Sequence, residues 1–208
     1  MKILHLDSSI TGQHSVSRIL TAEIVAAQVA QNPGAGIVYH DLADEPAMHL
    51  SPAHLAAFQG AAVENDALGQ DLALGAKYIE ELISADVLVI GVPMYNFNVP
   101  TQLKSWIDRV SVAGKTFRYT EKGPEGLLPA GKKAFLATSS GGFYSGESPA
   151  KFLEHTESYL RGVLAHLGLK DVTVFRAEGI GLGPDARKRA IDDALRAIDK
   201  FNTIKLAA

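Results

Sequence analysis

From Asp86 to Val92 the chain is an almost unbroken apolar run, and it leads into Pro93-Met94-Tyr95-Asn96-Phe97-Asn98-Val99-Pro100. An apolar run of this length suits a parallel strand buried on both faces. Pro100 suits the first turn of the helix that follows, where its missing N–H costs nothing. The connection is therefore held at both ends and faces the carboxyl edge of a sheet, where open α/β folds bind ligands. Its side chains are aromatic, apolar and amide rather than charged. That chemistry suits the face and polar rim of a flat, neutral ring.

The rest of the chain repeats the strand–loop–helix pattern. Ile3 to Leu6 reads as a first strand, and Ile19, Leu20, Ile24, Val25 and Val29 recur at helical spacing after a polar loop. Gly36 to Asp41 reads as the second strand. Ser51-Pro52 opens a helix through about Ala62, and another helix runs from about Asn65 to Ser84. Val87 to Val92 is the third strand, followed by a helix over about Pro100 to Ala113. Ala134 to Thr138 and Val172 to Ala177 are the fourth and fifth strands, followed by helices over about Pro149 to Leu167 and Pro184 to Phe201. Thr116 to Leu128, rich in turn residues, reads as a β-hairpin inserted outside the sheet. Five strands alternating with helices predict an α/β, doubly wound parallel sheet of flavodoxin-like order 2-1-3-4-5, in one domain spanning 1–208.

Composition removes several classes of chemistry. The chain has no cysteine, which excludes disulfides, thiolate nucleophiles and thiolate metal sites, so redox chemistry needs a borrowed cofactor. Its 20 basic and 23 acidic residues are interleaved and give a net charge of -3, without the basic footprint of a nucleic-acid binder. No run approaches the roughly 18 apolar residues of a membrane span. The amino terminus reads as a strand rather than a signal peptide, so a cytoplasmic protein is expected. The seven histidines are scattered and no Gly-x-Ser-x-Gly elbow is present, which disfavours a hydrolase and a zinc site. Arg187, Lys188 and Arg189 read as a solvated helix face, and Trp106, Phe152 and Tyr159 as core or interface.

In the order 2-1-3-4-5 the first, third and fourth strands are neighbours, so the loops that follow them meet. The first loop offers Ser8, Ser9, Thr11, Ser15 and Ser17 at a helix amino terminus, a setting that favours a phosphomonoester; Ser15 or Ser17 could equally be no more than an N-cap. It lacks both the P-loop and the Gly-x-Gly-x-x-Gly patterns. The second loop, Met94, Tyr95, Asn96 and Phe97, can cover a ring face and reach its edge. The third, Ser139, Ser140, Gly141 and Gly142, lets backbone N–H groups approach a planar ligand. Phosphate at one end and a flat heterocycle at the other describe FMN, with no metal and no catalytic side chain required.

Met94-Tyr95-Asn96-Phe97-Asn98, Thr116-Phe117-Arg118-Tyr119-Thr120-Glu121, Gly123-Pro124-Glu125-Gly126, Ser139 with Gly141-Gly142, and Ala177-Glu178-Gly179 resemble, in order along essentially the whole chain, the FMN-dependent NADH azoreductase and quinone reductase family. The resemblance implies a homodimer with FMN near the subunit interface. It also implies transfer of electrons from NADH or NADPH to quinones and azo compounds by a ping-pong mechanism. Carried over by position, Ser9, Ser15, Val16 and Ser17 are implied phosphate ligands, Met94 to Phe97 ring contacts, and Ser139 to Gly142 ring-edge contacts. Asn96 and Tyr119 are implied substrate residues, Tyr119 in its own or the partner's site. The chain departs from the pattern at Ser140, where relatives often carry Arg, at Tyr144, near which they carry His, and at His166, where they carry Phe. A flavodoxin-type electron carrier, without reductase activity of its own, is the alternative of a different class.

Overall fold

The structure is a computed structural model and describes residues 1–63 and 65–206. Its sheet is built from β1 (Lys2–Asp7), β2 (Gly36–Asp41), β3 (Val87–Pro93), β6 (Lys133–Ser140) and β7 (Asp171–Glu178), in the order β2-β1-β3-β6-β7 with every pairing parallel. Counted among sheet strands alone, this is the expected 2-1-3-4-5. The short antiparallel pair β4 (Phe117–Thr120) and β5 (Gly123–Gly126) forms the inserted hairpin. The helices are α1 (Val16–Gln31), α2 (Pro52–Phe58), α3 (Asp66–Ser84), α4 (Thr101–Val110), α5 (Thr156–Leu167) and α6 (Pro184–Leu206).

Side chains alternate across a strand, so a sheet covered on both sides needs apolar residues at every position of its central strand. β3 meets this demand at every one of its residues. Val87 and Val89 join Ile3, Leu20, Ile24, Phe135 and Ile198 in the core beneath α1 and α6, whereas Leu88, Ile90 and Val92 join Tyr78, Leu103, Trp106 and Leu164 beneath α3, α4 and α5. Trp106 is thus core. Tyr159 packs against that core from a half-buried position, whereas Phe152 is 74% exposed and lies outside the core.

Several helix boundaries depart from the expected ones, two of them for evident local reasons. α2 stops at Phe58 rather than Ala62, because Gly60 takes a left-handed φ of 91° that ends the helical path. α5 begins at Thr156 rather than Pro149. The Glu154 carboxylate accepts the amides of Thr156, Glu157 and Ser158 at 2.9, 2.7 and 3.3 Å, so capping starts the helix there. α6 continues past Phe201 to Leu206. The hairpin is fastened to the body by Phe117 against His166, ring centroids 4.3 Å apart, and by Gly126. A Cβ at Gly126 would fall 2.1 Å from Gly168 N, so the two backbones touch where only glycine fits.

The long connection between β2 and α3 is tied down by buried charge. Arg109 on α4 is 1% exposed; its Nε donates to Asp71 Oδ2 at 2.6 Å and its Nη2 to Met48 O at 2.7 Å. The Met48 amide donates to Asp71 Oδ1 at 2.7 Å, and the Ser51 amide donates to His54 Nδ1 at 3.2 Å, leaving the Nε2 proton for Asp71 Oδ2 at 3.0 Å. Burial pushes the Asp71 carboxyl up, but the Met48 amide and the Arg109 guanidinium outweigh it and hold the group below its ordinary 3.8. A carboxyl depressed in the folded state adds stability above its unfolded pKa and loses it as pH falls through the lower folded value. Arg109→Ala strands the Asp71 charge and is expected to cost about 3–5 kcal/mol in urea unfolding at pH 7, and Arg109→Met about the same, since it too leaves that charge unpaired. The Asp71→Asn variant is expected to flatten the loss of stability below about pH 4.

Candidate functional site

Parallel register puts the carboxyl ends of three strands side by side. Asp7 of β1 is level with Gly91 of β3, and Pro93 of β3 with Ser139 of β6. Beyond that line the loops are stitched together: Ser8 Oγ donates to Gly91 O at 2.7 Å, the Met94 amide donates to Ser139 O at 2.8 Å, and the Tyr95 hydroxyl lies 3.3 Å from Ser9 Oγ and accepts the Ile10 amide at 3.2 Å. Between them opens a cleft of about 330 Å³ lined by Ser9, Thr11, His14, Ser15, Val16, Pro93, Met94, Tyr95, Ser139, Ser140, Gly141, Ile180 and Arg187.

The α1 end of the cleft is an anion setting. Ser15 is the N-cap, its Oγ accepting the Arg18 amide at 3.3 Å and lying 3.0 Å from Ser17 Oγ. The capping role expected for Ser15 is therefore real, and it leaves the first-turn amides of Val16 and Ser17 without acceptors among the described residues. Ser17 is fully buried, outside the cleft lining, with its hydroxyl against Ser15 Oγ. No acidic residue occupies the first turn of α1 to neutralise its positive end. Arg18 lies beneath the loop, where Nη2 donates to Ser9 O at 2.8 Å and to Asp41 Oδ1 at 2.7 Å, with Nη1 also on the Asp41 carboxylate. Burial raises the Asp41 carboxyl, but Arg18 outweighs burial and holds it below 3.8.

At the opposite end, after Met94, the chain makes a tight turn. Tyr95 N and O bond Asn98 O and N at 2.9 and 3.1 Å, and the two central residues, Asn96 and Phe97, have φ of 47° and 70°. Both central residues are left-handed, the pattern of a type I′ turn, which asparagine tolerates and phenylalanine resists. Phe97 is 40% exposed and stands edge-on to Tyr144 with ring centroids 5.9 Å apart. Opposite, the carbonyls of Gly141 and Gly142 accept the amides of Gly181 and Gly179 at 3.0 Å each, and Ser140 Oγ donates to Gly142 O at 2.9 Å. The Gly141 and Gly142 amides make no hydrogen bond among the described residues.

Nine of the twelve expected ligand-contact positions are accounted for in the lining or in the first turn of α1. Asn96, Phe97 and Gly142 stand just beyond the lining, on the turn and loop that rim it. Tyr119 does not join this cleft: it lies on the hairpin, 76% exposed, with its ring against Phe117. Arg187 is a correction, since it is half-buried in the cleft wall rather than on a solvated face. Glu178 was legible only as part of a motif; its carboxylate accepts the Tyr144 amide at 2.5 Å and the Ser145 hydroxyl, fixing the third loop. The β7–α6 connection also emerges at the carboxyl edge, and that was the signal available for both residues. A hollow of about 360 Å³ between α2, α3 and α4 is slightly larger, and Phe58, Val63, Leu72 and Ile79 line it together with Arg109 and Lys115.

The turn separates the side chain's role from the backbone's. Asn96→Gly is expected to keep the melting temperature within the error of wild type while weakening binding in the cleft, and Asn96→Ala to cost about 1 kcal/mol more in stability than Asn96→Gly because alanine resists positive φ. Phe97→Gly is expected to raise thermal stability by about 1 kcal/mol by relieving backbone strain, with calorimetry as the check and weaker ligand binding as the accompanying loss.

Residues 1–201 match the family model described as a flavodoxin-like fold. The chain is 49% identical over 208 residues, covering 100% of both chains, to the FMN-dependent NADH:quinone oxidoreductase of Rhizobium meliloti (strain 1021). It is 50% identical over 200 residues, 96% of this chain and 98% of the relative, to the FMN-dependent NADH:quinone oxidoreductase of Xanthomonas campestris pv. campestris. Among solved structures it superposes on an azoreductase from Bacillus anthracis str. Sterne with a TM-score of 0.84 and 28% identity, over 97% of this chain and 98% of that one. With the expected strand order in place and the sequence matched from the first strand into the last helix, the chain belongs to the flavodoxin-like fold family.

Proposed function

We propose that the chain is an FMN-dependent oxidoreductase that passes two electrons from NADH to quinones and azo compounds. It acts in the cytoplasm as a single FMN-binding domain in each subunit of a homodimer. The observation that carries the reading is the meeting, in one cleft, of unpaired first-turn amides on α1 with the neutral Met94 to Phe97 surface. The names of the relatives point the same way.

The donor set fits FMN. The amides of Val16 and Ser17, with the hydroxyls of Ser9, Thr11 and Ser15, suit a phosphate, since a helix amino terminus presents N–H groups and a positive dipole end together. Met94, Tyr95 and Phe97 offer surface for the ring, and the unpaired amides of Gly141 and Gly142 suit its carbonyl oxygens. When bound, FMN would supply the two-electron redox chemistry that no side chain here provides. The chain's own residues position and polarise. Directed amide dipoles at Gly141 and Gly142 stabilise negative charge developing at the ring edge and need no reorganisation to do so. Ser140 and Glu178 hold those amides in place through Gly142 O and Tyr144 N. No side chain in the cleft is required as a nucleophile.

The homodimer draws support from exposed apolar side chains on the β2–α3 connection. Met48, Leu50, Leu55, Phe58 and Val63 are all between 42% and 51% exposed, a patch of the kind that marks an association surface. Exposed Tyr119 is then free to reach a partner's cleft. Among the described residues no helix is long and apolar enough to cross a membrane. The alternative, an electron carrier, is less consistent with the hairpin and the β2–α3 connection, which add walls a carrier does not need.

Purified protein reconstituted with FMN and mixed with NADH without oxygen is expected to lose its flavin absorbance and regain it on addition of a benzoquinone. Flavin that binds but is not bleached by NADH favours the carrier, and absence of FMN binding overturns the reading of the cleft.

A further inference from the structure

We infer that Arg187 is a phosphate ligand of the cleft, its guanidinium supplying the full positive charge that the α1 loop lacks and gripping the phosphomonoester of the bound flavin. The inference rests on the reading of the cleft as an FMN site. A phosphomonoester carries about −1.5 to −2 charge at neutral pH, whereas a helix amino terminus offers only about half a positive charge. The loop contributes Ser9, Thr11, His14, Ser15 and Val16 to the cleft lining, with neither lysine nor arginine among them.

The loop's own arginine cannot make up the difference. Arg18 is bound to Asp41 through both terminal nitrogens and to Ser9 O, and Asp7 lies close by, accepting the Thr21 hydroxyl at 2.9 Å. Beneath the loop, then, two carboxylates face one guanidinium.

Arg187 reaches the same place from the other side. It sits in the first turn of α6, and its Nη2 donates to His14 O at 2.8 Å, one residue before the Ser15 N-cap. That bond orients the guanidinium over the start of α1 and uses one of five N–H donors. Arg187 makes no ion pair with any described carboxylate, including Asp185 on its own turn. A half-buried, oriented and unpaired guanidinium beside unpaired amides is suited to bidentate recognition of phosphate oxygens. The phosphates of the nicotinamide donor share this chemistry, and the flavin is favoured because the orienting bond lies at the helix terminus rather than at the ring end.

The test is the affinity of the flavin-free protein for FMN and for riboflavin, which lacks the phosphate, followed by flavin fluorescence in wild type, Arg187→Gln and Arg187→Lys. Arg187→Gln is expected to weaken FMN about 10- to 100-fold, leave riboflavin unchanged, and flatten the salt dependence of FMN binding. Arg187→Lys keeps the charge without the fork and is expected to fall between the two. Unchanged FMN affinity in Arg187→Gln overturns the assignment, and so does an equal loss for both flavins, which would mean the residue only braces α1 against α6. A loss confined to NADH affinity in the FMN-loaded enzyme assigns Arg187 to the donor's phosphates and overturns it as well. Failure of wild type itself to bind FMN overturns the cleft reading, and is seen before any variant is compared.

Discussion

Everything at the cleft depends on the register of the parallel pairs β1·β3 and β3·β6. Because side chains alternate with a period of two, a slip of one residue would turn the buried set of β3 to the wrong face. The two cores above and below β3 forbid it, since Val87 and Val89 pack under α1 and α6 whereas Leu88, Ile90 and Val92 pack under α3, α4 and α5. With the register fixed, Asp7, Gly91, Pro93 and Ser139 end in one line, and three loops with no sequence proximity become one surface. The hydrophobic effect, which has no directional preference of its own, thus sets the position of hydrogen-bond donors.

The legible part of the structure is the part governed by short-range pattern. The apolar runs located all five sheet strands, and the turn chemistry of residues 116–128 located the hairpin. Helix starts were less secure where a side chain, rather than periodicity, decides them: Glu154 caps α5 from within its own loop and overrides the earlier proline at Pro149. The partners of residues whose role comes from a distant neighbour were not legible. Arg109 and Asp71 lie 38 positions apart and hold the β2–α3 connection as a buried pair. Arg187 meets His14 across 173 positions. Tyr119, placed by resemblance near a substrate, is on a face of the hairpin that its own chain leaves exposed.

The cleft also shows how stability is distributed around it. Its walls are rigid: hydroxyls, carbonyls and a carboxylate cross-link the loops, and glycine carbonyls are taken up by the β7–α6 connection. Its donors are left unsatisfied, at the first turn of α1 and at Gly141 and Gly142. Strain is confined to Phe97, whose left-handed backbone presents a large ring at the rim. The unpaired amides and the strained turn thus lie together along the cleft.

The hairpin is joined to α5 by backbone against backbone, Gly126 on Gly168, with Phe117 as its buried side chain. Its outward residues, Arg118, Tyr119, Thr120 and Glu121, take no part in that attachment. A wall fastened in this way can be re-lettered on its outer face without loosening its hinge. Substitutions can therefore accumulate on that face at little risk to the fold.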